Sequence, residues 1–163
     1  MSQTITGEQF REQLMYVLEE CFEQVQGIFL DRGTSLFETL ETISAEEAST
    51  PVSTTCASIA AQIGHVQYYL DQLEGFLKHE PQGRADWPGS WRTGPVTSAQ
   101  WDAQKQRLRA TYRRLADMIR GYDAWDTEDA MGGAIGLVAH SAYHLGEIRQ
   151  ALCTIKTLAP PWS

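Results

Sequence analysis

Cysteine is scarce in this 163-residue sequence. Cys21, Cys56 and Cys153 lie far apart inside helical patterns, and none forms a C-x-x-C pair. An odd number of separated cysteines is typical of ordinary buried thiols in a reducing compartment. No apolar run approaches the ~20 residues of a membrane span, and the first residues lack the basic start and apolar stretch of a secretory signal. We therefore expect a cytoplasmic protein with no membrane association.

Positive charge is also in short supply. Lys and Arg number 13 against 21 Asp and Glu, and the formal net charge is −8 at pH 7. Binding to a phosphate backbone needs clustered Lys and Arg. The one basic cluster, residues 105–114 (KQRLRATYRR), spreads its charges around a helix and is balanced by acids elsewhere. It predicts a solvated helix face, so we expect no nucleic-acid binding.

No segment has the alternating period of a β-strand, and the sequence contains no internal repeat or low-complexity tract. Apolar residues instead recur at helical spacing. Thr6 and Gln9 form a capping box, and the apolar positions after it predict a first helix from about residue 7 to about residue 30. The segment 35–43 (SLFETLETI) predicts a short extra helix, and 44–53 (SAEEASTPVS) predicts a polar loop.

A second long helix is predicted to begin near Ser53, with an apolar stripe through Ile63 and Leu70. Residues 80–96 (EPQGRADWPGSWRTGPV) combine prolines, glycines and tryptophans in a way that no regular element tolerates. This segment predicts a long loop. Loops of this length are commonly binding loops, and its two tryptophans allow it to pack over a cavity.

The last two helices complete the predicted fold. Thr97 and Gln100 form a second capping box, which opens a third helix that ends at Gly121, and a fourth helix runs over about 131–158. We predict an all-α protein with a single domain over residues 1–163, a four-helix bundle with long loops and a short extra helix. A chain of this length can bury a core without disulfides or a structural metal.

Three of the four histidines can meet in such a bundle. His140 and His144 stand on one face of the fourth helix, because an H-x-x-x-H spacing advances about 400°. His65 lies at the edge of the apolar stripe on the second helix, where it can face a cleft. Together the three predict a three-nitrogen metal site with open positions, although a single histidine at such an edge is more often packed or solvent-facing. His79 lies outside this pattern, and we expect it to stabilise a helix C-terminus.

The chain resembles the DinB/YfiT superfamily, a damage-inducible bacterial family of small four-helix metalloproteins. In that family one histidine near the middle of helix two and an H-x-x-x-H pair on helix four bind a divalent metal. The matching segments here are IGHVQYYL, with His65, and AHSAYHLGEI, with His140 and His144. The likeness extends over almost the whole chain, including the helix lengths and the aromatic-rich loop. It implies that these three histidines are the metal ligands.

Glu147 is the candidate catalytic residue, because it follows His144 by three positions on nearly the same face as His140. A carboxylate there can orient a ligand histidine, act as general base or bind the metal. The alternative is a surface glutamate paired with an arginine of the first or third helix. Tyr69 and Tyr143 can line the cleft or belong to the core. The sequence argues against a ferritin-like di-iron site, because such a site requires two Glu-x-x-His motifs and this sequence contains none.

Three neutral imidazoles suit Zn²⁺, Ni²⁺, Fe²⁺ or Mn²⁺ and do not select among them. The resemblance implies a transferase or isomerase in which the metal activates a low-molecular-weight thiol. A metal-dependent hydrolase is the alternative, and a non-catalytic, stress-associated metal-binding protein is a third hypothesis. Basic groups that could hold the carboxylates of a thiol would separate these hypotheses, and Arg84 and Arg149 are the candidates.

The expected partners are a small-molecule substrate and a second copy of the chain. The resemblance implies a homodimer, and the apolar and aromatic residues of the long loops can supply a self-complementary patch.

Overall fold

Four long helices and two short ones make up the secondary structure over the residues that the computed structural model describes, 4–78, 80, 83–125 and 127–158. They are α1 (Gly7–Phe22), α2 (Leu36–Glu41), α3 (Ala45–Ser49), α4 (Ile59–Leu77), α5 (Ser98–Arg120) and α6 (Glu128–Leu158), with a 3₁₀ turn at Gly89–Trp91 between α4 and α5. This confirms the prediction of an all-α helical bundle. The expectation for His79 lies outside the described residues.

The long helices share one apolar core. The largest side chains that are fully buried come from α1, α2, α4, α5 and α6, and they include Phe22, Leu40, Ile63, Trp101, Tyr112 and Leu137. Helix α4 packs against both α5 and α6, and α1 contacts the same two helices. The faces of α4 and α6 that carry histidines are therefore held next to each other by the core itself.

The prediction that the first helix reaches about residue 30 was wrong, because α1 ends at Phe22. The fully buried carboxylate of Glu20 accepts four backbone N–H groups beyond the helix, at 2.7–3.2 Å. These amides belong to Gln26, Ile28, Phe29 and Leu30. Burial alone would raise the pKa of Glu20, but the four donors outweigh it and lower the pKa. The chain therefore turns around a buried anion, which apolar spacing does not reveal.

Two further helix boundaries differ from the prediction, because polar side chains cap the helices at positions that apolar spacing does not mark. The segment predicted as a polar loop contains α3, because the Ser44 hydroxyl and the Glu47 carboxylate form a capping box. Helix α4 begins at Ile59 rather than near Ser53, because the Ser58 side chain accepts a backbone N–H and caps the helix there.

Helix α6 begins at Glu128, slightly before the predicted start at Met131. Its segment 130–146 contains no Asp, Glu, Lys or Arg. One side of this segment packs into the core, while Ile135 and Tyr143 are well exposed on the other side. No helix within the described residues is both long enough and apolar enough to span a membrane.

The three cysteines do not share one environment, which corrects the expectation of ordinary buried thiols. Cys21 is buried, and burial together with the charge of Glu20 raises its pKa to about 12. Cys56 and Cys153 are exposed. Cys56 lies in the connection before α4, where the Ser53 hydroxyl donates to its Sγ at 3.1 Å, and Cys153 lies on the outer side of α6.

An ion cluster around the buried carboxylate of Glu74 joins α4 to α5. Glu74 is only 6% exposed, and Arg114 donates to both of its carboxylate oxygens, at 2.8 and 2.9 Å. Lys78 adds a third donor at 2.6 Å. Hydrogen bonds from Arg114, followed by those from Lys78, outweigh desolvation and lower the pKa of Glu74 to about 2. The ionised carboxylate is therefore strongly preferred in the folded state.

We expect the Glu74→Gln variant to lose about 2 kcal/mol of unfolding free energy at neutral pH. A depressed pKa stabilises the fold above the unfolded value near 4.5, and this contribution is lost as the pH falls toward about 2. The variant should therefore show a smaller decline in stability over this acid range than the wild type. Urea unfolding at several pH values measures both effects.

The matched control is Glu12→Gln, which removes a carboxylate from the exposed side of α1. It should change the unfolding free energy by less than about 0.5 kcal/mol. A Glu74→Gln curve that parallels the wild-type acid profile would contradict the assigned role of the cluster.

Candidate metal centre

His65 lies near the middle of α4 and is 7% exposed. Its ring stacks on the Trp91 ring, with 4.0 Å between centroids and 16° between planes. Its Nδ1 lies 2.7 Å from the Ser90 hydroxyl oxygen. Both contacts come from the segment between α4 and α5, so that segment fixes the orientation of the imidazole. His65 was predicted to lie at the edge of the apolar stripe facing a cleft, but in the structure it is buried beneath this segment.

His140 and His144 project from one face of α6, with ring centroids 4.6 Å apart. His144 is 3% exposed. The Tyr69 ring of α4 stacks on His140 at 4.0 Å and 17°. The Nε2 atom of His140 is buried and has no hydrogen-bond partner among the described residues. A buried polar atom without a partner costs free energy unless a ligand, an ion or water satisfies it.

The structure brings together the three histidines that the sequence analysis singled out. The His65 centroid lies 5.2 Å from that of His140 and 5.0 Å from that of His144. One ring nitrogen from each residue lies within 4.8 Å of the others. Nitrogens bound at about 2.1 Å around a tetrahedral Zn²⁺ would be about 3.4 Å apart. Small side-chain adjustments therefore suffice for the cluster to hold a divalent cation.

Burial keeps these imidazoles in their neutral form. Burial first, and then the charges of His144 and His65, lower the pKa of His140 to about 4. Burial also lowers the pKa of His65 and of His144, although Glu147 acts in the opposite direction on both. Since the neutral imidazole is the form that binds a metal, the three side chains are ready for a cation at neutral pH.

Glu147 contacts the cluster from its solvent side. Its Oε2 lies 3.0 Å from Nδ1 of His144, although the carboxylate lies off the axis that a hydrogen bond requires. The Tyr143 hydroxyl donates to Oε1 of Glu147 at 2.8 Å, and this hydrogen bond raises the pKa of Tyr143. The alternative of a salt bridge to an arginine does not occur among the described residues. Glu147 is partly exposed and instead connects His144 to the protein surface.

The two tyrosines named in the sequence analysis have different environments. Tyr69 is partly buried against His140, so it belongs to the wall of the cluster. Tyr143 is 62% exposed and contacts the cluster through Glu147 and the edge of His144.

The segment between α4 and α5 covers the cluster as an aromatic cap, which we define as residues 83–96. The Asp86 backbone N–H donates to the Tyr68 hydroxyl at 2.8 Å, and the Trp87 ring lies against the Tyr68 ring. Gly64 allows the close approach, because a Cβ there would overlap the Thr93 hydroxyl. The segment expected to pack over a cavity lies above the histidines, where its Trp91 stacks on His65.

A cleft of about 600 Å³ opens beside the cluster. This volume lies within the usual range for small-molecule sites. Trp91 and Glu147 line this cleft and also contact the histidine cluster, since Trp91 stacks on His65 and Glu147 lies beside His144. The remaining polar lining comes from side chains that the sequence analysis did not single out, Thr55, Gln62, Gln150 and Thr154.

The described residues that line the cleft include no Lys or Arg, and Glu147 is the one ionisable carboxylate among them. The two arginines proposed from the sequence lie elsewhere. Arg149 donates to the Thr39 hydroxyl at 3.3 Å, toward α2, and Arg84 is exposed in the aromatic cap. The cleft therefore has no cationic group for a bound carboxylate or phosphate.

A family model described as the DinB superfamily matches residues 30–148. The matched region contains α2 to α5 and the part of α6 that carries His140 and His144, whereas α1 precedes it. No curated protein and no solved structure matches the chain significantly.

Proposed function

Because the chain belongs to the DinB superfamily, we propose that it is a divalent-metal-dependent enzyme that uses a low-molecular-weight thiol to convert a small organic substrate. The observation that carries the proposal is the buried cluster of His65, His140 and His144 beside an open cleft. The partnerless Nε2 of His140 and the depressed pKa values of the three imidazoles favour a bound cation.

Three imidazole ligands are compatible with Zn²⁺, Ni²⁺, Fe²⁺ or Mn²⁺. When bound there, a divalent cation supplies positive charge that lowers the pKa of a thiol or a water next to it. Three protein ligands leave coordination positions for such a molecule. The shared wall of Trp91 and Glu147 supports entry of that molecule from the cleft.

In this proposal Glu147 is the general base. It accepts the proton of the thiol S–H, and the sulfur bonds to the electrophilic carbon of the substrate while the bond from that carbon to its leaving group breaks. The leaving group departs with the electron pair of that bond and takes the proton back from Glu147. The Tyr143 hydroxyl holds one carboxylate oxygen and leaves the other directed toward His144. Trp91 limits the access of water to the reacting groups from the side of the aromatic cap.

The charge of the cleft favours one kind of thiol. With no Lys or Arg among its described lining residues and with Glu147 in its wall, the cleft disfavours a thiol that carries several carboxylates or phosphates. It fits an uncharged or weakly charged thiol better. The same observation favours a second candidate, a hydrolase in which Glu147 takes the proton of a water, because a water needs no cationic group to hold it.

Thiol titration of the Co²⁺- or Ni²⁺-substituted protein tests the proposal. We expect mycothiol, which has no carboxylate, to change the visible spectrum at a lower concentration than glutathione, bacillithiol or coenzyme A. A panel of electrophiles then identifies the substrate class, and turnover should disappear on chelation.

Two outcomes would overturn the thiol proposal. No spectral change with any thiol, together with ester or amide hydrolysis that chelation abolishes, would favour the hydrolase. The absence of both activities in metal-loaded protein would favour a non-catalytic metal-binding protein.

A further inference from the structure

We propose that Ser90 is a positioning residue for the metal centre, because its hydroxyl fixes the tautomer of His65 and leaves Nε2 free to bind a cation. Ser90 belongs to the aromatic cap and is not a metal ligand. The inference deepens the proposed function, on which its metal-affinity part rests, while its tautomer part concerns the metal-free protein.

The tautomer follows from two hydrogen bonds of one hydroxyl. The Ser90 hydroxyl lies 2.6 Å from the carbonyl oxygen of Trp87, which can only accept, so the serine proton points there. The same oxygen lies 2.7 Å from Nδ1 of His65. Since the hydroxyl has a single proton, this second bond must be donated by Nδ1–H. A neutral His65 then carries its proton on Nδ1 and a lone pair on Nε2.

The backbone of the aromatic cap holds Ser90 in this position. The Ser90 N–H donates to the backbone carbonyls of Asp86 and Trp87, at 3.2 and 3.3 Å. The Asp86 side chain in turn accepts the N–H of Gly89 at 2.9 Å. These bonds fix the backbone at Ser90, and the hydrogen bond from its hydroxyl to the Trp87 carbonyl fixes the side-chain rotamer.

A hydrogen bond to the second ring nitrogen is the usual means by which a protein orients a ligand histidine, and its loss typically costs 10–100-fold in metal affinity. Without an acceptor at Nδ1, the proton of His65 can move to Nε2, where it blocks the lone pair. Trp91 stacking fixes the plane of the ring but cannot choose between its two nitrogens. The Ser90 hydroxyl therefore determines which ring nitrogen of His65 carries the proton.

Two-bond ¹H–¹⁵N correlation spectra of the metal-free protein test the tautomer directly. We expect His65 to give the Nδ1–H pattern in the wild type and a larger Nε2–H population in the Ser90→Ala variant. Ser90→Thr retains a hydroxyl and should retain the wild-type pattern. A wild-type His65 protonated on Nε2 would overturn the inference, whatever the variants do and whether or not the protein binds metal.

Metal affinity, measured by competition with a chromophoric chelator, provides the second measurement. We expect Ser90→Ala to raise the Kd for Zn²⁺ by about 10–100-fold and Ser90→Thr to change it by less than about threefold. Ser49→Ala is the matched control, because the Ser49 hydroxyl accepts the Val96 N–H at 2.9 Å and anchors the other end of the aromatic cap without contacting His65. We expect it to retain wild-type affinity.

Equal losses in Ser90→Ala and Ser49→Ala would assign the effect to general loosening of the cap and overturn the inference. An unchanged Kd in Ser90→Ala would do the same. A wild-type protein that binds no divalent cation would instead contradict the proposed function, while the tautomer spectra would still decide the role of Ser90.

Discussion

The His140→Ala/His144→Ala double variant is expected to contain no stoichiometric metal, whereas the wild-type protein is expected to bind about one divalent ion per chain. Removing two of the three ligands leaves His65 alone, and one imidazole cannot hold a cation against competition from buffer and water. Elemental analysis after metal loading and desalting measures the difference. Equal metal content in the two proteins would contradict the assignment of the centre.

Thermal unfolding gives an independent measurement of the same centre. A cation present at about 100 times its Kd stabilises the folded state by about 2.7 kcal/mol, which raises Tm by roughly 5–10 °C in a chain of this size. The double variant should show no such rise. His79→Ala removes the histidine outside the pattern and serves as the control, with an expected rise equal to that of the wild type.

The metal-free wild type should remain helical by circular dichroism, because its apolar core is formed by all four long helices without the aid of the cluster. Cooperative unfolding on chelation would make the centre a structural site instead.

Glu147→Gln is expected to retain the metal and to lower kcat/KM by about 10²–10³-fold, or about 3–4 kcal/mol of transition-state stabilisation. The amide has the shape of the carboxylate and can still accept the Tyr143 hydroxyl, but it cannot take a proton from the nucleophile. Steady-state kinetics with the substrate found in the electrophile or ester panel measures the effect, and elemental analysis confirms the metal content.

Tyr143→Phe provides a graded comparison for that variant. It removes the hydrogen bond to Glu147 and leaves the base in place, so we expect a loss of about tenfold or less. Undiminished turnover in Glu147→Gln would exclude Glu147 as the base. A loss that follows the metal content of the variant would assign Glu147 to holding His144 in place.

The meeting of the three histidines could be predicted because its geometry is local or periodic. The H-x-x-x-H spacing fixes the relation of His140 to His144 once their segment is helical. The proximity of His65 required only that its helix be a neighbour of α6, which is what a small bundle provides. The position of Glu147 beside His144 could be predicted from the same helical period, since residues three positions apart on a helix lie close together.

Ser90 and Glu20 could not be predicted because nothing periodic marks them. The role of Ser90 depends on a turn in which one hydroxyl serves both a carbonyl and an imidazole 25 positions earlier in the chain. The role of Glu20 depends on a buried carboxylate in a segment whose apolar spacing continues smoothly past the true end of α1. In both cases a single side chain satisfies backbone groups of an irregular segment, and sequence periodicity carries no signal for such contacts.

Glu20 and the buried side chains of α1 also bear on which part of this chain is expected to fold by itself. The region that matches the family model begins at Leu30, the last of the four residues whose backbone amides donate to Glu20. A chain cut to that region would leave the Leu30 amide without its acceptor and would lose Leu18 and Phe22, which are fully buried in the core. The start of the family match is therefore not the start of an independently folding unit. Any fragment meant to fold by itself should include α1 together with the helices that carry the histidines.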